Sequence, residues 1–106
     1  MTLDDNLKII ALIDVYGELL TDRQREIMYS YYFDNLSLSE IGENMGVSRQ
    51  AINDCINQSA RALENFEDKL KIVDFKSTLR RDLLELKENT LTGNNLDLIN
   101  KILQKL

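Results

Sequence analysis

Histidine and proline are both missing from this sequence, which also has a single cysteine and few glycines. Histidine is the commonest general base and a frequent metal ligand, so its absence argues against catalysis and metal binding. No glycine-rich loop of the kind that cradles phosphates appears either. We therefore expect a protein that is not an enzyme and has no metal, no cofactor and no small-molecule substrate.

The same absences restrict the fold and the compartment. Without proline, and with only four glycines in 106 residues, long helices are favoured over a turn-rich sandwich or barrel. The one cysteine, Cys55, excludes an internal disulfide and favours a reducing cytoplasm; we expect it to face the core. No apolar run is long enough to cross a membrane, and the acidic start M-T-L-D-D-N does not resemble a signal peptide. The expectation is an all-α cytoplasmic protein that does not bind membranes.

Charge is the main objection to a nucleic-acid partner. The chain has 13 basic and 18 acidic residues, a net charge of −5. A basic stripe is the usual footprint of a nucleic-acid-binding surface. Net charge is an average, however, and a local patch can still bind.

The stretch from residue 36 to residue 56 has the signals of a helix, a tight turn and a second helix. Ser37 and Glu40 form an S-x-x-E capping box at the start of the first helix. Gly46 stands where that helix must end, because glycine adopts a left-handed conformation without steric penalty. Ser48 then has the position of an N-cap. The pattern predicts a helix over Leu38–Met45 and a second one from residue 49.

The apolar positions of this stretch fit a helix-turn-helix with a steep crossing. Gly42 lies where the two helices approach most closely, so we expect a small residue to be required there. Amide and guanidinium side chains, which reach base edges in a major groove, occupy the outward face of the second helix. That face carries Arg49, Gln50, Asn53, Asp54, Asn57 and Arg61. The alternative is an ordinary all-helical domain with no nucleic-acid role.

Two helices precede the motif. Apolar spacing predicts the first over Leu3 to Leu20. The second begins at Thr21, which caps it. Arg23 and Arg25 stand at its exposed start, either as solvated surface or as contacts to DNA phosphates. A dense aromatic group follows, for which packing is the expected role and base stacking the alternative. It consists of Tyr29, Tyr31, Tyr32 and Phe33.

The second helix of the motif continues far beyond a minimal length. We expect a narrow apolar face as far as Val73, and hence a helix-turn-helix domain over residues 1–73 with a long recognition helix. Residues 74–106 form a C-terminal helical extension, with Phe75, Leu79, Leu83 and Leu86 facing inward. A short last helix is marginal alone and must dock on its own domain or on a second copy of the chain. A homodimer is expected, because a helix-turn-helix dimer reads two half-sites.

The run from Leu20 to Ile56 resembles the YlxM family of small bacterial proteins, and its second half is similar to the DNA-binding region 4 of sigma-70-type factors. The most specific part is V-S-R-Q-A-I-N-D, residues 47–54. The resemblance implies an all-helical cytoplasmic protein whose recognition contacts are Ser48, Arg49, Gln50 and Asn53. It also implies a connection with the signal recognition particle and with a regulatory part in protein targeting.

Two functions follow as hypotheses. The first is a DNA-binding regulatory protein that places the start of the second motif helix in a major groove. The second is an adaptor of the protein-targeting machinery, binding components of the signal recognition particle, in which the helix-turn-helix is only scaffold. Between residues 37 and 70 there are six acidic and three basic residues. Few basic residues release few counterions, so DNA binding by this stretch would be weak.

Overall fold

The computed structural model describes residues 3–90 and 92–106, and within them the chain is helical without a strand. The all-α prediction is therefore confirmed. The six α-helices, in chain order, are α1 (Leu3–Tyr16), α2 (Asp22–Tyr32), α3 (Leu38–Met45), α4 (Arg49–Leu70), α5 (Ile72–Glu88) and α6 (Gly93–Gln104). A short 3₁₀ turn, Gly17–Leu19, follows α1.

The chain divides into two compact units. The first unit runs to Leu70 and holds α1–α4, and the second is Lys71–Leu106, a hairpin of α5 and α6. No helix in the described residues has the length and hydropathy that crossing a bilayer requires.

The long helix α4 is the centre of the first unit. Its 22 residues span about 33 Å, and α1, α2 and α3 all pack on it. At its far end Tyr16 of α1 lies beside Phe66, with ring centroids 5.9 Å apart, and the Tyr16 hydroxyl donates to Oε1 of Glu67 over 2.5 Å. The core is apolar except for Ser59. Its buried side chains are Ile9, Leu12, Ile13, Tyr16, Leu20, Ile27, Met28, Ile41, Ile52, Ile56, Ser59 and Leu63.

The first helix is shorter than predicted. It ends at Tyr16 instead of Leu20, and the chain tightens into the 3₁₀ turn before Leu20 becomes extended. The reason lies in α2, because Thr21 must itself be extended to cap it. The Thr21 hydroxyl accepts from the Gln24 amide over 3.2 Å, and the Gln24 side chain accepts from the Thr21 amide over 3.0 Å.

The second unit differs more from the prediction. The helix expected to reach Val73 ends at Leu70, because Lys71 has a positive φ of 56°. The next helix consequently starts at Ile72. Two side chains expected to face inward are exposed, Phe75 by 66% and Leu86 by 53%. No residue of α5 is fully buried, so its apolar face is covered only in part, less than the periodicity implied.

Candidate nucleic-acid interface

The turn between α3 and α4 has the hydrogen bonds of a Schellman motif. The Val47 amide donates to the Gly42 carbonyl over 3.0 Å, and the Gly46 amide donates to that of Glu43 over 3.4 Å. Gly46 has a φ of +71°, the left-handed conformation that glycine adopts most easily. These bonds satisfy carbonyl groups at the end of α3 and fix the direction in which the chain enters α4.

A second glycine sets the closeness of the two helices. A Cβ atom on Gly42 would lie 2.8 Å from the carbonyl oxygen of Val47 and 3.4 Å from the carbonyl carbon of Ser48. Both are backbone atoms, which cannot move aside as a flexible side chain can. The predicted close approach at Gly42 is present, and it holds the first residues of α4 against α3.

Side-chain caps define the start of both motif helices. At α3, the Ser37 hydroxyl accepts from the Glu40 amide and the Glu40 carboxylate accepts from the Ser37 amide, each over 3.1 Å. At α4, the Ser48 hydroxyl accepts from the Ala51 amide over 3.0 Å. The helix boundaries predicted for the motif, Leu38–Met45 and a start at Arg49, coincide with those observed. Capping and packing therefore together hold the N-terminal turn of α4 in a fixed, exposed position.

The predicted contact residues at the start of α4 are its N-cap, Ser48, and side chains on its first three turns. Ser48, Arg49, Gln50 and Asn57 are exposed, while Asn53 is half-buried beside the core face. The side chains best aligned on the outward stripe recur at intervals of four, three and four residues. They are Gln50, Asp54, Asn57 and Arg61, all exposed.

The two other predicted contacts lie on α2. Arg23 is exposed, whereas Arg25 is half-buried and pairs with Asp22, with Nη2 and Oδ1 2.6 Å apart. Asp22 itself is fully exposed, so this ion pair is a weak surface interaction.

Asp54 belongs to the outward stripe, although it was not among the predicted contacts. Its Oδ1 accepts from the Nε2 of Gln50 over 2.9 Å. The spacing of four residues is the signal that would have indicated this pair. The bond orients the Gln50 amide and places a carboxylate beside it. A carboxylate accepts hydrogen bonds from cytosine N4 and repels phosphate, so Asp54 would favour cytosine and disfavour phosphate if this stripe met DNA.

Charge is unevenly divided between the two units. The first unit has six basic and 13 acidic residues, a net of −7, whereas Lys71–Leu106 has seven basic and five acidic side chains, a net of +2. The acidity of the whole chain thus resides in the unit that contains the helix-turn-helix. Electrostatic attraction to DNA would rest on Arg49, Arg61 and the two arginines of α2.

The aromatic group on α2 forms two pairs. The rings of Tyr31 and Tyr32 meet edge to face at 5.0 Å, and those of Tyr29 and Phe33 at 5.3 Å. Burial raises the pKa of the Tyr32 hydroxyl, with a smaller contribution from Tyr31. Tyr29 and Phe33 are exposed, so the expectation that the whole group packs inward is correct only in part.

The described residues contain no group of three or more histidine, cysteine, aspartate or glutamate side chains arranged to hold a metal ion. Cys55 is half-buried, not fully enclosed, and its Sγ lies 4.0 Å from the Ser59 hydroxyl.

The turn, the caps and the exposed start of α4 define the class: an all-α protein built on a helix-turn-helix. Comparison with known proteins agrees with this class. Residues 3–104 match the model of the UPF0122 family, described as "Putative helix-turn-helix protein, YlxM / p13 like". The chain belongs to this family, which confirms the YlxM resemblance. The family's description is that of a helix-turn-helix protein and not of an enzyme.

Several curated relatives cover nearly all of the chain. A UPF0122 protein of Fusobacterium nucleatum is 41% identical over 99 residues, which are 93% of this chain and 95% of the relative. One from Malacoplasma penetrans is 46% identical over 94 residues, 88% and 87% of the two chains. One from Shouchella clausii is 36% identical over 104 residues, 98% and 95% of the two chains.

Proposed function

We propose that this protein is a DNA-binding regulator of the bacterial cytoplasm that places the N-terminal turns of α4 in a major groove. The observation that carries the proposal is the capped, exposed start of α4, held by the close approach at Gly42. Arg49 would read guanine, and Gln50 and Asn53 would read adenine, which are the pairings that these side chains favour. Ser48, Asn57, Arg23 and Arg25 would contact the backbone or neighbouring bases.

The charge of the first unit determines how this binding must behave. With about four basic side chains available, few phosphates are neutralised, and log K is expected to fall with log salt with a slope no steeper than about −4. Non-specific affinity should consequently be low. Base contacts, rather than counterion release, would then provide most of the discrimination between sequences.

A selection experiment tests the proposal. Random duplexes are selected at low salt with the wild-type protein and, in parallel, with the triple variant Arg49→Ala, Gln50→Ala, Asn53→Ala. We expect the wild type to enrich a sequence motif and the triple variant to enrich none, because the remaining contacts to phosphate carry no sequence information directly. Circular dichroism should show equal helix content in both proteins. A wild type that enriches no motif, or a triple variant that enriches the same one, would contradict the proposal.

A second function has one specific observation in its favour. The net charge of −7 on the first unit is suited to a basic protein partner and poorly suited to DNA. In line with the YlxM resemblance, the candidate is an adaptor that binds components of the signal recognition particle. Purification from nuclease-treated cells distinguishes the two functions. Targeting factors in the eluate, undiminished by the triple variant, would favour the adaptor, while recovery that disappears with nuclease favours the regulator.

A further inference from the structure

The second unit has too little core for two helices. Of the described residues in Lys71–Leu106, only Ile99 is buried. Independent units of fewer than about 40 residues usually need a disulfide, a metal or oligomerisation to be stable. This unit of 36 residues contains no cysteine or histidine.

Exposed apolar side chains lie on the same side of α5 and α6, and we call this surface the hairpin face. On α5, Phe75 and Leu86 are 11 residues apart and therefore point in nearly the same direction. On α6, Leu98 and Ile102 are four residues apart, and both line a groove of about 200 Å³ with Leu86. The hairpin face consists of Phe75, Leu83, Leu86, Leu98 and Ile102.

The area of the hairpin face suits a pair of identical chains. Its members are between 42% and 66% exposed, apart from the more buried Leu83. With about 200 Å² for each large apolar side chain, roughly 450 Å² of apolar surface is open to solvent. Two copies would bury roughly 900 Å² of it. Since about 65% of a homodimer interface is apolar, the whole interface would be roughly 1,400 Å², within the range of stable specific complexes.

The two edges of the hairpin face carry opposite charges. Arg80 donates to the carbonyl oxygen of Leu106 over 2.9 Å, which shows the side of α5 that α6 occupies. Asp82 comes two residues later and so lies on the opposite, outer edge of α5, with Glu85 beside it. On α6, Ile99 lines the groove, and two residues further Lys101 points outward. Where it borders the hairpin face, the outer edge of α5 therefore carries Asp82 and Glu85, with Arg81 behind them. The outer edge of α6 carries Lys101 and Lys105, with Asp97 behind them. The α5 edge is thus mainly acidic and the α6 edge mainly basic.

Two copies of the hairpin can pair face to face about a twofold axis in two ways, and this charge pattern is self-complementary in one of them. We propose that two copies of the chain associate through the hairpin face, with α5 of one copy packed antiparallel to α6 of the other. A twofold axis along the helices then sets the acidic edge of α5 against the basic edge of the partner's α6. An axis across the helices would set acidic against acidic and basic against basic, which is unfavourable. The product is a four-helix bundle made from two hairpins.

Sedimentation equilibrium of the full-length protein without DNA tests the proposal. We expect a concentration-dependent dimer in which Leu86→Glu raises the dissociation constant by roughly tenfold or more, because a charge would be buried in an apolar contact. The matched control is Leu84→Glu. Leu84 is 46% exposed, close to the 53% of Leu86, but points away from the hairpin face. A protein that stays monomeric at all concentrations, or equal effects of the two variants, would overturn the proposal.

Charge exchange tests the arrangement. The pair Lys101→Glu and Lys105→Glu should weaken the dimer several-fold, and adding Asp82→Lys and Glu85→Lys should restore it. All four side chains are exposed, so these variants should fold even if Leu86→Glu does not. Failure of the fourfold variant to recover wild-type association would refute the α5-to-α6 packing. Since no DNA is present, neither result depends on the proposed DNA-binding function.

Discussion

Replacing Arg49 with alanine is expected to weaken binding to the selected DNA sequence by roughly 1–3 kcal/mol, a factor of about 5 to 150. Arg49 is exposed on the first turn of α4, where it would enter the proposed groove before the rest of the helix does. A bidentate pair with guanine O6 and N7 would provide this discrimination. Fluorescence anisotropy on a duplex of the selected sequence, at fixed low salt, measures the change.

The matched control for Arg49→Ala is Arg81→Ala. Arg81 is also an exposed arginine, but it belongs to α5 in the second unit. Both variants remove one positive charge, so a general electrostatic effect would weaken DNA binding equally in the two proteins. On a duplex with the guanine replaced, Arg49→Ala should bind about as well as the wild type. Equal losses for the two arginine variants would show that Arg49 contributes charge alone.

The second large effect concerns Gly42. Gly42→Val is expected to reduce the free energy of unfolding by about 3 kcal/mol or more, because its Cβ would press on the Val47 and Ser48 backbone. For a unit of this size the melting temperature would fall by about 12–24 °C. Urea unfolding followed by circular dichroism measures the loss.

Glu43→Val provides the comparison for Gly42→Val. Glu43 is the next residue of α3 and is exposed, so this variant adds the same side chain without the steric conflict. Its cost should stay near the small difference in helix propensity, about 0.5 kcal/mol. If Gly42→Val reduced the free energy of unfolding by less than 1 kcal/mol, the close approach of α3 and α4 would not require a glycine at this position.

The helix-turn-helix could be predicted almost to the residue because its signals are local. Ser37, Glu40, Gly46 and Ser48 each act on backbone groups within four residues, and their hydrogen bonds in the structure are those that the spacing indicates. A cap or a left-handed glycine depends little on what the rest of the chain does. For the same reason the Thr21 cap of α2 was predictable.

The second unit could not be predicted as well because its conformation depends on distant packing. Lys71 adopts a left-handed conformation that no glycine or asparagine signals. The period of apolar residues in α5 shows which face is apolar, but not what covers it. Phe75 and Leu86 fit the helical period and are exposed nonetheless. A partner surface and a core surface have the same pattern in a sequence.

The candidate site could be predicted less completely than the helix-turn-helix but better than the second unit. Helical spacing placed Arg49, Gln50 and Asn57 outward, and the structure shows them exposed. The hydrogen bond from Gln50 to Asp54 depends on side-chain rotamers, which spacing leaves open. Asn53 is half-buried, because it lies at the border between the outward stripe and the core face of α4. Its contact with a base would require a groove that reaches that border.

The most direct test of the central claim is an amide NMR titration of the protein with the selected duplex. If the start of α4 enters the major groove, the largest shift changes should fall on residues 48–50, with further changes at Asn53 and Asn57. Changes elsewhere in the first unit should be small, apart from those near Arg23 and Arg25. If the duplex binds but the amide shifts of residues 48–57 do not change, the claim that the start of α4 enters the major groove is contradicted.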